Sequence, residues 1–264
     1  MSRLSDPAVA SFQNSMPERY RANFDGEAIQ EHAAIVARRG GFRAYLEIWQ
    51  RLPNGGVVLC VVADDRPGLL SLISASLVVH DVAIVAVKAY TRTDPETGLA
   101  EAVDFLWVQR EKAAALGFTQ ADVVRIGDVL TAFISGEATV QSVLRKDRLP
   151  PRLLPDSPTR VTFEGTADKS PDILTVETVD RSGLLLAITQ ALFRTGVQVI
   201  ASDATTRDGR VADRFTIAER DGTRLGLSRR RAVQKEVLSA IESLVGAASK
   251  RKTARPSKPQ GPPR

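Results

Sequence analysis

The hydrophobic and polar positions of this chain repeat. VLCVVADDRPGLLSLISASLVVHDVAIVAVKAYTR (Val58 to Arg92) lies without a gap on ILTVETVDRSGLLLAITQALFRTGVQVIASDATTR (Ile173 to Arg207), at an offset of 115 residues. Asp65, Arg66, Gly68, Leu69, Leu70, Ile73, Leu77, Val82 and Ala86 recur identically. After the next turn the copies realign at an offset of 109, which sets Asp104, Leu106 and Val108 on Asp213, Phe215 and Ile217. A repeat of this kind constrains the architecture before any local reading does.

Each copy opens with a short Val/Leu/Ile run, then Asp-Arg-x-Gly, then apolar residues at helical spacing: Leu69, Ile73 and Leu77 in one, Leu184, Ile188 and Leu192 in the other. That pattern predicts strand, tight turn and helix. Val82–Tyr90 and Val197–Thr205 are rich in β-formers and lead through Asp94, Pro95 and Gly98, or Asp208 and Gly209, into a third strand, as a hairpin would. A second helix follows. In copy one it opens with Thr119 and Asp122 at capping-box spacing and carries Val123, Ile126, Leu130 and Phe133 on one face. In copy two Val233, Val237, Ile241 and Leu244 do the same. Arg160–Glu164, beyond the Pro-rich linker at 149–158, reads as a fourth strand completing copy one, and copy two shows no counterpart before the chain turns basic.

The order β-α-β-β-α-β predicts an α+β fold of two ferredoxin-like units, each an antiparallel sheet with helices on one face. The expected division is an N-terminal helical segment at 1–50, a first unit at 51–165, a second at 170–246 and a disordered basic tail at 247–264. On the face away from the helices, copy one would present Phe105 and Trp107, where copy two has Arg214 and Thr216. The amphipathic stretch Glu27–Arg39, with Ile29, Ala33 and Val36 on one side, is a candidate cover for the aromatic pair.

Composition narrows the function classes. At 43% hydrophobic and 25% charged over 264 residues, the chain is ordinary for a folded protein. Its net charge of +5 is not spread evenly: the last sixteen residues carry six cations and no acid, which leaves residues 1–248 at −1. A Pro-rich basic tail with Ala254 as its only aliphatic residue cannot offset its ordering entropy. The single cysteine, Cys60, sits in an apolar strand and reads as a buried small hydrophobe. His32 and His80 are too few for most metal centres, so no metal or cofactor is expected. No apolar run suits a signal peptide or a membrane span, and the expected location is the cytoplasm.

The chemistry concentrates in Asp65-Arg66-Pro67-Gly68-Leu69-Leu70 and Asp180-Arg181-Ser182-Gly183-Leu184-Leu185. A carboxylate beside a helix N-terminus offers an acceptor for an ammonium and backbone N–H donors for a carboxylate or amide, a pairing shaped for an amino acid. Glycine lets a ligand approach the backbone, and Pro67 presets the dihedral of the turn. The plainer reading is that the aspartates cap their helices and the glycines only turn the chain.

Two ferredoxin-like units with these turns, and with Val/Ala-Asp-x-Leu/Phe-x-Val/Ile third strands, resemble tandem ACT domains, a family of small-molecule regulatory modules. More narrowly, the turns, preceded by Ser15-Met16-Pro17-Glu18-Arg19-Tyr20 and a helix carrying His32, are similar to the C-terminal regulatory region of the bacterial PII uridylyltransferase/uridylyl-removing enzymes. The resemblance spans roughly residues 15–245. It implies binding of glutamine or a related amino acid through Asp65, Arg66, Gly68, Leu69 and Leu70 and through Asp180, Arg181, Gly183, Leu184 and Leu185. It also implies pairing of ACT units or a homo-oligomer, and control of a target protein. Ser182 stands where the family often has proline.

The catalytic parts of such enzymes are not legible. Neither a Gly-Ser turn with paired metal-binding aspartates nor an HD-type set of His and Asp ligands is present in the sequence, so a non-enzymatic sensor is the expectation. Two alternatives stand beside it. One is an interaction or scaffold protein whose ligand sites have decayed. The other is an RNA-binding module of the same strand order, in which Phe105 and Trp107 would stack bases; VVLCVVA supplies no aromatic on strand one, which argues against nucleic acid as a partner.

Overall fold

The structure, a computed structural model, describes residues 6–110, 117–143, 158–164 and 171–252, with side chains described as far as residue 244. The Pro-rich linker up to residue 157 and the tail beyond Lys252 lie outside the described residues. The chain opens with three helices, α1 (Asp6–Ser15), α2 (Glu18–Arg21) and α3 (Gly26–Arg39), and a strand, β1 (Ala44–Arg51). Copy one continues as β2 (Val57–Asp64), α4 (Leu69–Val79), β3 (Val82–Thr93), β4 (Ala100–Arg110), α5 (Gln120–Ser135) and the short α6 (Val140–Val143). Copy two follows as β5 (Arg160–Glu164), β6 (Asp172–Val179), α7 (Leu184–Arg194), β7 (Gln198–Arg207), β8 (Arg210–Ala218) and α8 (Leu227–Lys252).

All eight strands form one antiparallel sheet in the order β1-β2-β4-β3-β7-β8-β6-β5. The order reads as two four-stranded halves placed edge to edge. They join through β3 and β7 over the register Ala86↔Thr205 to Ala89↔Ser202, with Lys88 paired to Asp203 across the join at 3.1 Å. Each half has a bulge beside it, between Ile84 and Ala86 and between Val199 and Ala201. Pairing two edges satisfies backbone groups that two separate sheets would leave open.

The α+β class and the two ferredoxin-like halves are as the pattern predicts, but the fourth strand of each half is not. Arg160–Glu164 pairs with β6 and so completes copy two. Copy one is completed by β1, which pairs with β2 from Ala44↔Ala63 to Arg51↔Val57. In both halves the extra strand precedes the repeat instead of following it, as a hairpin onto its first strand. The helical reading of residues 1–50 therefore ends at Arg39, and the expected boundary at 51 cuts β1 from its partner. At the other end α8 runs through Lys252, so 247–252, read as the start of a disordered tail, are helical.

The core between the helices and the sheet is continuous across the join. Leu59, Ile73, Leu106, Ile126 and Leu130 from one half and Leu174, Ile188, Leu192, Phe215 and Val237 from the other belong to a single buried cluster. Thr119 and Asp122 form the capping box the sequence shows, and Cys60 is fully buried. On the opposite face α1–α3 pack on the first half, where Phe12, Tyr20, Ile29 and Ala33 meet Val58, Cys60, Val62 and Phe105. Phe105 is thus enclosed, its ring centroid 4.2 Å from that of His32, and is not presented to a nucleic-acid base. The matching face of the second half carries Arg214, paired with Glu164, and Thr175, which also donates to Glu164.

Candidate functional site

The edge-to-edge join sets each Asp-Arg-x-Gly turn against the other half. The Asp180 turn shares a cavity with Val78 from the end of α4 and with Val82 to Ala86 of β3. The Asp65 turn faces Phe193 from the end of α7 and Val199 and Ile200 of β7. Strand, turn and helix bring the expected residues together twice, and the fold brings each set to a boundary that no single copy could form.

Both helices begin at glycine. Gly68 (φ 82°) and Gly183 (φ 75°) hold left-handed backbone as the N-caps of α4 and α7, a conformation that costs a side-chain-bearing residue about 1–2 kcal/mol. Neither helix start has a side-chain cap. The N-cap position of each helix thus belongs to the glycine and not to the aspartate three residues before it. Asp65 instead accepts from the Thr91 hydroxyl (2.9 Å) and the Arg66 N–H, while burial pushes its carboxyl above the ordinary value.

The arginines line the cavities at their own turns and also brace the fold. Arg66 donates to the Ile134 carbonyl in the last turn of α5 (2.7 Å), and Arg181 reaches the Ile241 carbonyl of α8 (3.5 Å) and the Thr178 hydroxyl (3.4 Å). They fasten the second helix of each half to its turn. Leu69, Leu70, Leu184 and Leu185 are buried in the core, and each pair also lines the cavity at its own turn.

Two further carboxylates belong to these sites. Asp104 and Asp213 occupy equivalent places on β4 and β8, on the helix side of the sheet, each nearly fully buried. Asp104 accepts from the Tyr90 N–H (3.2 Å) and Asp213 from the Thr205 N–H. Burial pushes both carboxyls up to about 8, helped by the negative charge of Asp65 for one and of Asp180 and Asp203 for the other. The sequence signal was available: each is a carboxylate in phase with core residues two and four positions on, in both copies.

The sites differ in room. The cavity at Asp180 measures about 480 Å³ and that at Asp65 about 40 Å³. Asp180, Asp213 and the first turn of α7 line the larger, together with Gln109 and Arg110 from the end of β4. Arg110 is held by Asp122, and its buried Nε meets no hydrogen-bond partner among the described residues. The arrangement offers the Asp180 carboxylate and the buried Asp213 carboxyl for an ammonium, helix N–H groups for an anion and a guanidinium for a further polar group, within the size range of small-molecule sites. Among the described residues no three His, Cys, Asp or Glu side chains gather as a metal site, and no helix is long and apolar enough to cross a membrane.

Fold and paired turns define an α+β protein built from two ferredoxin-like units. No family model matches the chain. It is 27% identical over 247 residues to the bifunctional uridylyltransferase/uridylyl-removing enzyme of Rhodospirillum rubrum, covering 90% of this chain and 26% of that protein. The enzyme of the same description from Gluconobacter oxydans is 27% identical over 251 residues, covering 90% of this chain and 25% of its own length. The chain thus resembles the C-terminal region of these enzymes and spans about a quarter of the length of the curated relatives it matches. Among solved structures, an aspartate kinase from Synechocystis aligns with 78% of this chain and 41% of its own at 12% identity, with a TM-score of 0.19.

Proposed function

We propose that this chain is a non-catalytic regulatory module that senses an amino acid, with L-glutamine the favoured ligand, and passes its occupancy to a target protein. The observation that carries the reading is the cavity of about 480 Å³ where the Asp180 turn meets β3 of the other half. There the ligand ammonium lies against Asp180 and Asp213, and its carboxylate against the first-turn N–H groups of α7. Arg110 and Gln109 supply the polar groups that a side-chain amide can meet. The resemblance to the C-terminal region of uridylyltransferase/uridylyl-removing enzymes supports a place in nitrogen regulation.

Because the site is built from both halves, an occupant touches both and changes the balance of their join, which is how binding becomes a signal. A thermal-shift screen over the standard amino acids tests the reading. A ligand at a hundred times its Kd stabilises by about 2.7 kcal/mol, a rise of several degrees. Glutamine is expected to give the largest rise. A flat response to every amino acid overturns the sensor reading in favour of a scaffold with decayed sites.

A further inference from the structure

The two halves carry the same turn but not the same neighbour across the join, and the difference falls at one aligned position. Val78, in the last turn of α4, lines the cavity at Asp180; 115 residues on stands Phe193, in the last turn of α7, which lines the cavity at Asp65. The phenyl ring of Phe193 lies directly on the Asp65 turn. A Cβ placed on Gly68 would meet Phe193 Cδ2 at 2.7 Å, Cε2 at 3.0 Å and Cγ at 3.1 Å.

What remains beside the ring is about 40 Å³, room for about one water and not for an amino acid. Phe193 is also 46% exposed, so core packing does not account for its position. The ring covers the glycine turn where an incoming ligand would approach. A second difference points the same way. Arg110 lines the Asp180 cavity, whereas the aligned residue of copy two is Glu219, paired with Arg229 at 2.8 Å and absent from the lining of the Asp65 cavity.

We infer that the chain takes one amino-acid ligand, at the Asp180 turn, and that Phe193 is a built-in plug that keeps the Asp65 turn empty. This rests on the sensor reading above. Phe193 and Val78 are then the residues that set which turn is occupied, and binding follows a simple one-site curve. Two open turns across a shared join would instead couple to each other.

Calorimetric titration of the full chain with L-glutamine tests the inference through stoichiometry. The wild type is expected to bind one glutamine per chain. F193V uncovers the second turn and is expected to bind two, and the added site survives when D180N is combined with F193V. Val78→Phe plugs the open turn and is expected to abolish saturable heat, while V78F/F193V binds one glutamine again, at the Asp65 turn. Since Phe193 is half in water, F193V is expected to keep its unfolding temperature, which is measured alongside. Two sites in the wild type, or one in folded F193V, overturn the plug and leave the sensor reading standing. Absence of heat in every protein overturns the sensor reading and the plug with it.

Discussion

The hydroxyl of Tyr20 lies 2.7 Å from Nδ1 of His32, and both residues are fully buried. The pair ties α2 to α3 beneath the sheet face where Phe105 sits, with the rings of Phe24, His32 and Trp49 around it. Burial holds the imidazole neutral, its pKa down to about 3, and raises that of the tyrosine hydroxyl. Tyr20→Phe keeps the packing and removes the partner of a buried nitrogen. It is expected to cost about 1–3 kcal/mol in urea unfolding. An unchanged midpoint would mean that the cover is held by apolar contact alone.

Asp104 and Asp213 give stability a pH dependence of definite sign. Their carboxyls titrate near 8 in the folded chain, well above the model-peptide value near 4 that applies when unfolded. Between those values the folded state binds the extra proton, so the stability these two groups contribute is fully present below about 4 and is lost as pH rises toward 8, at up to about 1.4 kcal/mol per pH unit for each carboxyl. His32 acts in the opposite direction, but only below its unfolded value of about 6.5. Unfolding measured from pH 6.5 to 8 is therefore expected to weaken in the wild type, and less steeply in Asp213→Asn. Equal slopes would show that Asp213 is ionised throughout.

Arg19 is expected to hold the join itself. One of its terminal nitrogens donates to the carbonyls of Ala89 (3.2 Å) and Ile200 (3.1 Å), one from each half, beside the end of the β3–β7 ladder, and its guanidinium lies 5.2 Å from the centre of the Tyr90 ring. Arg19→Met removes hydrogen bonds of a kind worth about 1.5–3 kcal/mol to a charged donor. Hydrogen exchange should show β3 and β7 amides opening before those of β2 and β6. Uniform protection in the variant would assign the join to the strands alone.

Much of this architecture was legible because the repeat carries its own periodicities: helix faces at Leu69, Ile73 and Leu77, and strands around Val58 and Ile173. β1 was missed because AYLEIWQR is apolar on both faces. Leu46 meets the main core, whereas Tyr45 and Trp49 pack beneath the N-terminal helices, so one-sided alternation is blurred. β5 was assigned to the wrong half because strand pairing is a long-range choice that local pattern does not record. The turns were readable, but the cavities were not. Val78 and Phe193 align in sequence, and only the antiparallel join shows that each reaches the other copy's glycine turn. Asp213 was visible in the repeat as a marker, and its role emerges only from its burial behind Asp180.

The central claim is that Asp180 receives the ammonium of a bound amino acid. Titrating the wild type and Asp180→Asn with L-glutamine at one pH and salt concentration tests it most directly. Losing a charge-assisted hydrogen bond of about 1.5–3 kcal/mol weakens binding roughly 10- to 150-fold. The helix should survive, since Gly183 and not Asp180 is its N-cap. The expected result is saturable heat in the wild type and an affinity lower by that factor in a variant that unfolds at nearly the same temperature. Equal affinity in the two proteins would contradict the assignment.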